Sequence, residues 1–127
     1  MSAKYLKKRD RLINQSKFSL LTLWPNADSA LRITGKSSSE ANSLDLNGFS
    51  VVEFLSYGSF KGLLTGDAGV IVEDKIAKKA GKIGVLRVFY HGSKTGMSDF
   101  FLKEISPSLA IISVGIKNLY GHPVKKH

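Results

Sequence analysis

Three short segments hold the residues best able to do chemistry: Leu63-Leu64-Thr65-Gly66-Asp67, Tyr90-His91-Gly92-Ser93-Lys94-Thr95 and Asn118-Leu119-Tyr120-Gly121-His122-Pro123. Each sets a metal-capable or phosphate-capable group just after an apolar run of strand character, where a rigid sheet can aim it at a shared crevice. The absence of cysteine among the 127 residues excludes disulfides, thiolate zinc sites and cysteine nucleophiles, so any metal is held by His, Asp or Glu. Asp67 offers two oxygens behind a glycine that lets the backbone turn sharply; its ordinary alternative is to cap the helix that follows. His91 offers an imidazole nitrogen suited to a borderline ion such as zinc, or is a hydrogen-bonded loop histidine. Gly92 to Thr95 bring backbone donors, the Ser93 hydroxyl and the Lys94 cation ahead of a helix, where they could face a phosphate or form an ordinary polar loop. His122 stands beside a turn proline, and His127, after two lysines, reads as tail.

The elements that must position these groups follow from periodicity and punctuation. Phe18 to Trp24 is rich in strand formers and is stopped by Pro25-Asn26. Val51 to Tyr57 and Phe60 to Thr65, split by Gly58-Ser59, form the clearest hairpin signal. A helix is predicted over 69–80: Val72, Ile76 and Ala80 share a face, Glu73 and Asp74 lie early, Lys75, Lys78 and Lys79 lie late, and Gly81 closes it. Val85 to Phe89 is a short buried strand. Ser98 caps a second helix reaching Ile105, and Pro107 prevents its continuation. Leu109 to Val114 is a near-continuous apolar strand, of the kind covered on both faces. Residues 1–16 are polar and basic, forming a short frayed helix or none, and Ser37 to Ser43 lie in a polar loop. The order predicts an α/β layered fold, with helices packed on a sheet that mixes antiparallel and parallel pairs.

Length and composition bound the rest. A chain of 127 residues supports one domain with one modest core, and its 43% apolar and 23% charged residues are ordinary for a globular protein. A net charge of +9 attracts polyanions such as nucleic acid or anionic lipid. Much of that excess is terminal, in Lys4, Lys7, Lys8, Arg9, Arg11 and Lys17 and in Lys125 and Lys126, which reads first as a solvated tail and only second as a dedicated phosphate patch. The basic start and the run to Trp24 imitate a secretory signal, but Ser19, Thr22 and the Trp24-Pro25 end exclude it. No run approaches the roughly eighteen apolar residues of a membrane span, so a cytoplasmic location is the default expectation.

Taken in order, the segments resemble the metallo-β-lactamase-type metal hydrolase domain of the ComEC competence-protein kind. Asn47 precedes the hairpin, Leu64 to Asp67 match a Leu-Thr-Gly-Asp motif, His91-Gly92-Ser93 match His-His-Gly-Ser, and Tyr120 to Pro123 match Tyr-Gly-His-Pro. The resemblance is strongest over 42–123, with Leu23-Trp24-Pro25 as an earlier landmark, and implies a basic segment at 1–16 followed by a partial metallo-β-lactamase-like domain over 17–127. It implies two metal ions, zinc or manganese, that polarise a phosphodiester and activate water. Asp67 would bridge the ions, His91 would be a further ligand, Ser93 and Lys94 would meet substrate, and His122 would contact substrate oxygens or the leaving group.

Two departures qualify that reading. Tyr90 stands where the family has the first histidine of its pair, and a phenol holds its proton at neutral pH and is a poor ligand. The family's principal motif, His-x-His-x-Asp-His, occurs nowhere in the chain, which has three histidines in all. A zinc ion usually takes three or four protein ligands. The resemblance therefore implies a truncated hydrolase, inactive or feeble alone. Its alternatives are a non-catalytic basic module that binds DNA or RNA, and one half of a split enzyme whose missing N-terminal half comes from a second chain.

Overall fold

The computed structural model describes residues 11–15, 17–26, 28–29 and 46–125. They form one six-stranded mixed sheet whose spatial order follows the chain: β1 (Arg11–Gln15), β2 (Phe18–Trp24), β3 (Val52–Tyr57), β4 (Phe60–Leu64), β5 (Val85–Arg87) and β6 (Leu109–Ile111). The first four strands pair antiparallel, and β4, β5 and β6 pair parallel. Helix α1 (Val70–Ala80) crosses from β4 to β5, and α2 (Asp99–Ile105) from β5 to β6. Two successive crossovers in the same direction place both helices on one face, where they touch each other. This is the α/β architecture that the sequence pattern predicts.

The hairpin turns where small residues allow it. Tyr57 pairs with Phe60, leaving a two-residue connection in which Gly58 adopts φ 55°. On the covered face, Leu63 and Leu86 meet Val72 and Ile76 of α1 and Phe101 and Ile105 of α2 in one core, all at 1% exposure or less. Each such side chain contributes about 1.5–3 kcal/mol by leaving water. Phe89 joins edge-on to Phe101, with ring centroids 5.3 Å apart.

Helix ends follow the sequence signals, with one substitution of role. Ser98 caps α2 by accepting from the Phe101 N–H at 3.2 Å, and Gly81 ends α1 at φ 59°. Glu73, placed early in α1 by the sequence pattern, is buried: its carboxylate accepts the Ser98 N–H at 2.7 Å and the Ser98 hydroxyl. The α1 carboxylate thus fixes the start of α2.

Two expectations are corrected. Arg11–Gln15 is an edge strand paired with β2, not a helix or an unstructured segment, because β2 offers an otherwise unpaired ladder; residues 1–10 and the Ser37–Ser43 loop lie outside the described residues. Leu109–Ile111 is shorter than predicted and is exposed throughout, not covered on both faces. Its position at the sheet edge leaves it one neighbouring strand, and the buried core lies over β2 to β5, from Leu23, Trp24 and Val52 to Leu63 and Leu86.

Candidate metal centre

The chemistry-bearing segments meet at the carboxyl ends of β4, β5 and β6, the usual place for a site on parallel strands. After β4 the chain turns through Thr65 and Gly66 to Asp67. Gly66 is required twice over: its φ is 56°, and a Cβ there would fall 3.0 Å from Ser50 Cβ and 3.2 Å from the Val51 carbonyl oxygen. The buried Thr65 hydroxyl donates to the Arg87 carbonyl at 2.7 Å, and the Arg87 guanidinium donates back to the Gly66 carbonyl at 2.7 Å. This reciprocal clasp fixes the end of β4 against the end of β5.

Past β5, Tyr90 and His91 take left-handed conformations, φ 45° and 54°, and Gly92 continues at 76°. Two consecutive non-glycine residues there cost about 1–2 kcal/mol each, a form of strain that clusters at functional sites. The turn reverses the chain so that His91 Nε2 lies 3.3 Å from Asp67 Oδ1. His91 Nδ1 lies 2.6 Å from the Ser113 carbonyl oxygen just after β6. A carbonyl only accepts, so Nδ1 carries the hydrogen, and in the neutral ring the Nε2 lone pair faces the Asp67 carboxylate. Two acceptors so placed need a cation between them or a proton on the ring. A histidine oriented by a backbone carbonyl and facing a carboxylate is the arrangement that metal-ligating histidines use.

Asp67 does not cap α1. Gly69 holds that position and makes no side-chain capping bond. No third His, Asp or Glu completes a cluster with the pair among the described residues. The donors therefore suit part of one ion's shell.

Two hollows flank the pair. One of about 300 Å³ is lined by Asn47, Asp67, Gly69, Val70, Tyr90 and Thr95. The other, about 210 Å³, is lined by His91, Val114, Gly115, Asn118, Tyr120 and His122. His122 thus shares a wall with His91. Its ring stacks on Tyr120 at 5.9 Å and tilts against Tyr90 at 6.1 Å. Asn118 secures this loop, accepting the His122 N–H at 2.9 Å and donating to the carbonyls of His122 and Gly115 at 2.8 and 3.0 Å. His122 Nδ1 is buried and has no hydrogen-bond partner among the described residues. Ser93 and Lys94 lie in a tight turn before Gly96, several residues ahead of the Ser98 cap. The Ser93 N–H is taken by the Tyr90 carbonyl, its hydroxyl contacts Thr95 at 3.3 Å, and Lys94 is exposed.

No family model matches the chain. Among curated proteins, it is 43% identical over 77 residues to Recombination protein 2 of Haemophilus influenzae, covering 61% of this chain and 10% of that protein. It is 37% identical over 90 residues to Competence protein ComA of Neisseria gonorrhoeae, covering 68% of this chain and 13% of the relative. The chain is similar to a segment of a competence protein. A third relative, ComE operon protein 3 of Bacillus subtilis, is 35% identical over 82 residues, covering 63% of this chain and 11% of its own length. The matched stretch thus spans about a tenth of these relatives.

Residues that the sequence reading did not single out hold the site together. Arg87 and the Ser113 carbonyl act through bonds between separate elements, which local spacing does not encode. Thr65 was visible only as part of the Leu-Thr-Gly-Asp segment, whose bulk is otherwise structural.

Proposed function

We propose that this chain serves DNA uptake as part of a metal-dependent phosphodiester hydrolase of the metallo-β-lactamase kind, incomplete by itself. The observation that carries the reading is the His91–Asp67 pair at 3.3 Å, with the imidazole held by the Ser113 carbonyl. Support at the level of the biological process comes from the similarity to a competence protein and a recombination protein.

Asp67 and His91 would hold the ion, zinc or manganese. When bound, such an ion polarises a phosphoryl oxygen and favours loss of a proton from water. The chain's own groups then bind and orient. Asn47 and Thr95 line the hollow beside Asp67 and offer polar contacts to a phosphodiester. His122, backed by Tyr120 and Tyr90, is placed to contact a substrate or leaving-group oxygen in the second hollow. Lys94 and Ser93, in the turn that follows His91, would meet more distant phosphates, and the net charge of +9 draws a polyanion to the molecule.

Hydrolysis of a generic phosphodiester and of a DNA strand, with zinc and with manganese, tests the reading. Turnover by the isolated chain is expected to be feeble, to be lost in Asp67→Ala, and to rise when a second chain bearing His-x-His-x-Asp-His is added. Activity unchanged in Asp67→Ala contradicts the assignment. A second reading, a non-catalytic nucleic-acid-binding module, is favoured by the net charge and by the small number of ligands. It predicts salt-sensitive DNA binding that Asp67→Ala leaves intact, with no metal-dependent turnover in any combination.

A further inference from the structure

Beside the Asp67–His91 pair a tyrosine ring stands almost wholly in water. Tyr120 is 81% exposed, yet its ring is supported: it lies nearly parallel to that of His122, with centroids 5.9 Å apart and planes within 16°. His122 in turn leans on Tyr90 at 6.1 Å, so the stack is backed by the turn that carries His91. The backbone beneath it is fixed as well. Asn118 holds the loop from within by three hydrogen bonds, and the Val124 N–H donates to the Gly92 carbonyl at 3.0 Å. Pro123 occupies the space that a side chain on Gly92 would need, 2.8 Å from where its Cβ would stand. A ring supported on one face and open on the other is a platform for a second flat, apolar group.

We propose that Tyr120 stacks an unpaired nucleobase of a single-stranded nucleic acid, received in the hollow of about 210 Å³ that Tyr120 and His122 share with His91. That hollow is smaller than the roughly 300–1,000 Å³ of pockets that enclose whole ligands, and it suits one planar ring system. Its chemistry favours a base held by its face and not read by its edge. The Asn118 amide is fully engaged within the loop: Nδ2 donates to the carbonyls of Gly115 and His122, and Oδ1 accepts the His122 N–H. Stacking without such edge contacts tolerates any base. The surroundings suit a polyanion. Residues 105–127 include Lys117, Lys125 and Lys126 and contain no Asp or Glu, and Lys117, three residues before Tyr120, is exposed. A duplex cannot use the platform, because each paired base is already stacked on its neighbours, so the strand must be single or locally opened. His91 lines the same hollow, so a phosphate adjoining the stacked base can reach the pair; that placing rests on the proposed function, whereas the stacking does not.

The test uses the full chain without metal, titrated at low salt with a labelled oligonucleotide of about sixteen nucleotides and with the same strand in duplex form. The single strand is expected to bind more tightly than the duplex. Tyr120→Ala should weaken single-strand binding about tenfold and leave duplex binding unchanged, while Tyr120→Phe, which keeps the ring, should match the parent. Both variants should preserve the circular dichroism of the parent, since the side chain is exposed. In Tyr120→Trp the added indole should be quenched by the single strand and not by the duplex, a signature that a merely structural role would not give. Parent-like binding by Tyr120→Ala, equal losses for single strand and duplex, or a loss in Tyr120→Phe as large as in Tyr120→Ala would overturn the inference. So would an indole that the single strand does not quench. Stacking by a chain that takes up no metal would leave the platform standing and remove the hydrolase reading, and metal uptake with strand binding indifferent to Tyr120 would do the reverse.

Discussion

A carboxylate and an imidazole are brought together by two tight turns, one through Gly66 and one through Tyr90 and His91. Asp67 is reached through Gly66, whose φ of 56° and close neighbours, Ser50 Cβ and the Val51 carbonyl oxygen, disfavour a side chain. Gly66→Ala is expected to cost about 1–2 kcal/mol from the left-handed backbone alone, with the contact to Ser50 adding to it, as read by urea denaturation. A variant as stable as the parent would mean that the turn is not rigid. Thr65→Val keeps the shape of the side chain but leaves the Arg87 carbonyl without its donor, a loss of about 1–3 kcal/mol for a buried group. The residues with chemistry were legible because His, Asp and glycine follow apolar runs. Their partners were not, since Arg87 and the Ser113 carbonyl are recruited by the pairing of strands far apart in the chain.

At the scale of elements, punctuation was the most readable feature. The Gly58-Ser59 hairpin, the Ser98 cap and the Gly81 stop stand where the sequence places them, because turn and cap geometry depends on local residue types. Burial was harder to read. Glu73 lies early in its helix, where an acid favours the dipole, yet it turns inward to bind Ser98. Ser98→Ala therefore removes both a cap and the hydroxyl donor of a buried carboxylate. It should destabilise the fold by about 2 kcal/mol, at the upper end for a lost cap, whereas Glu104→Gln, at an exposed position of the same helix, should do much less; equal effects in denaturant titrations would contradict the linkage of the helices. The apolar run after Pro107 predicts a strand covered on both faces, but it lies exposed at the sheet edge. Hydrophobic pattern records what a segment is suited to contact, and the described residues supply only one of those layers.

Over the whole molecule, the mixed pairing of the sheet and the helices packed on it were legible from the alternation of patterns, whereas the gathering of both helices on one face was not. Among the described residues no helix is long and apolar enough to cross a membrane. The net charge of +9 predicts DNA binding with little sequence preference that weakens steeply as salt rises, measurable by titrating a labelled oligonucleotide at two ionic strengths. Affinity indifferent to salt would remove the electrostatic part of the account. Calorimetric titration of the chain with zinc tests most directly whether Asp67 and His91 together form a metal-binding pair. One weakly bound ion per chain is predicted, with binding lost in Asp67→Ala and in His91→Ala and unaffected in Lys94→Ala. Binding that survives both substitutions, or no binding by the parent chain, would contradict it.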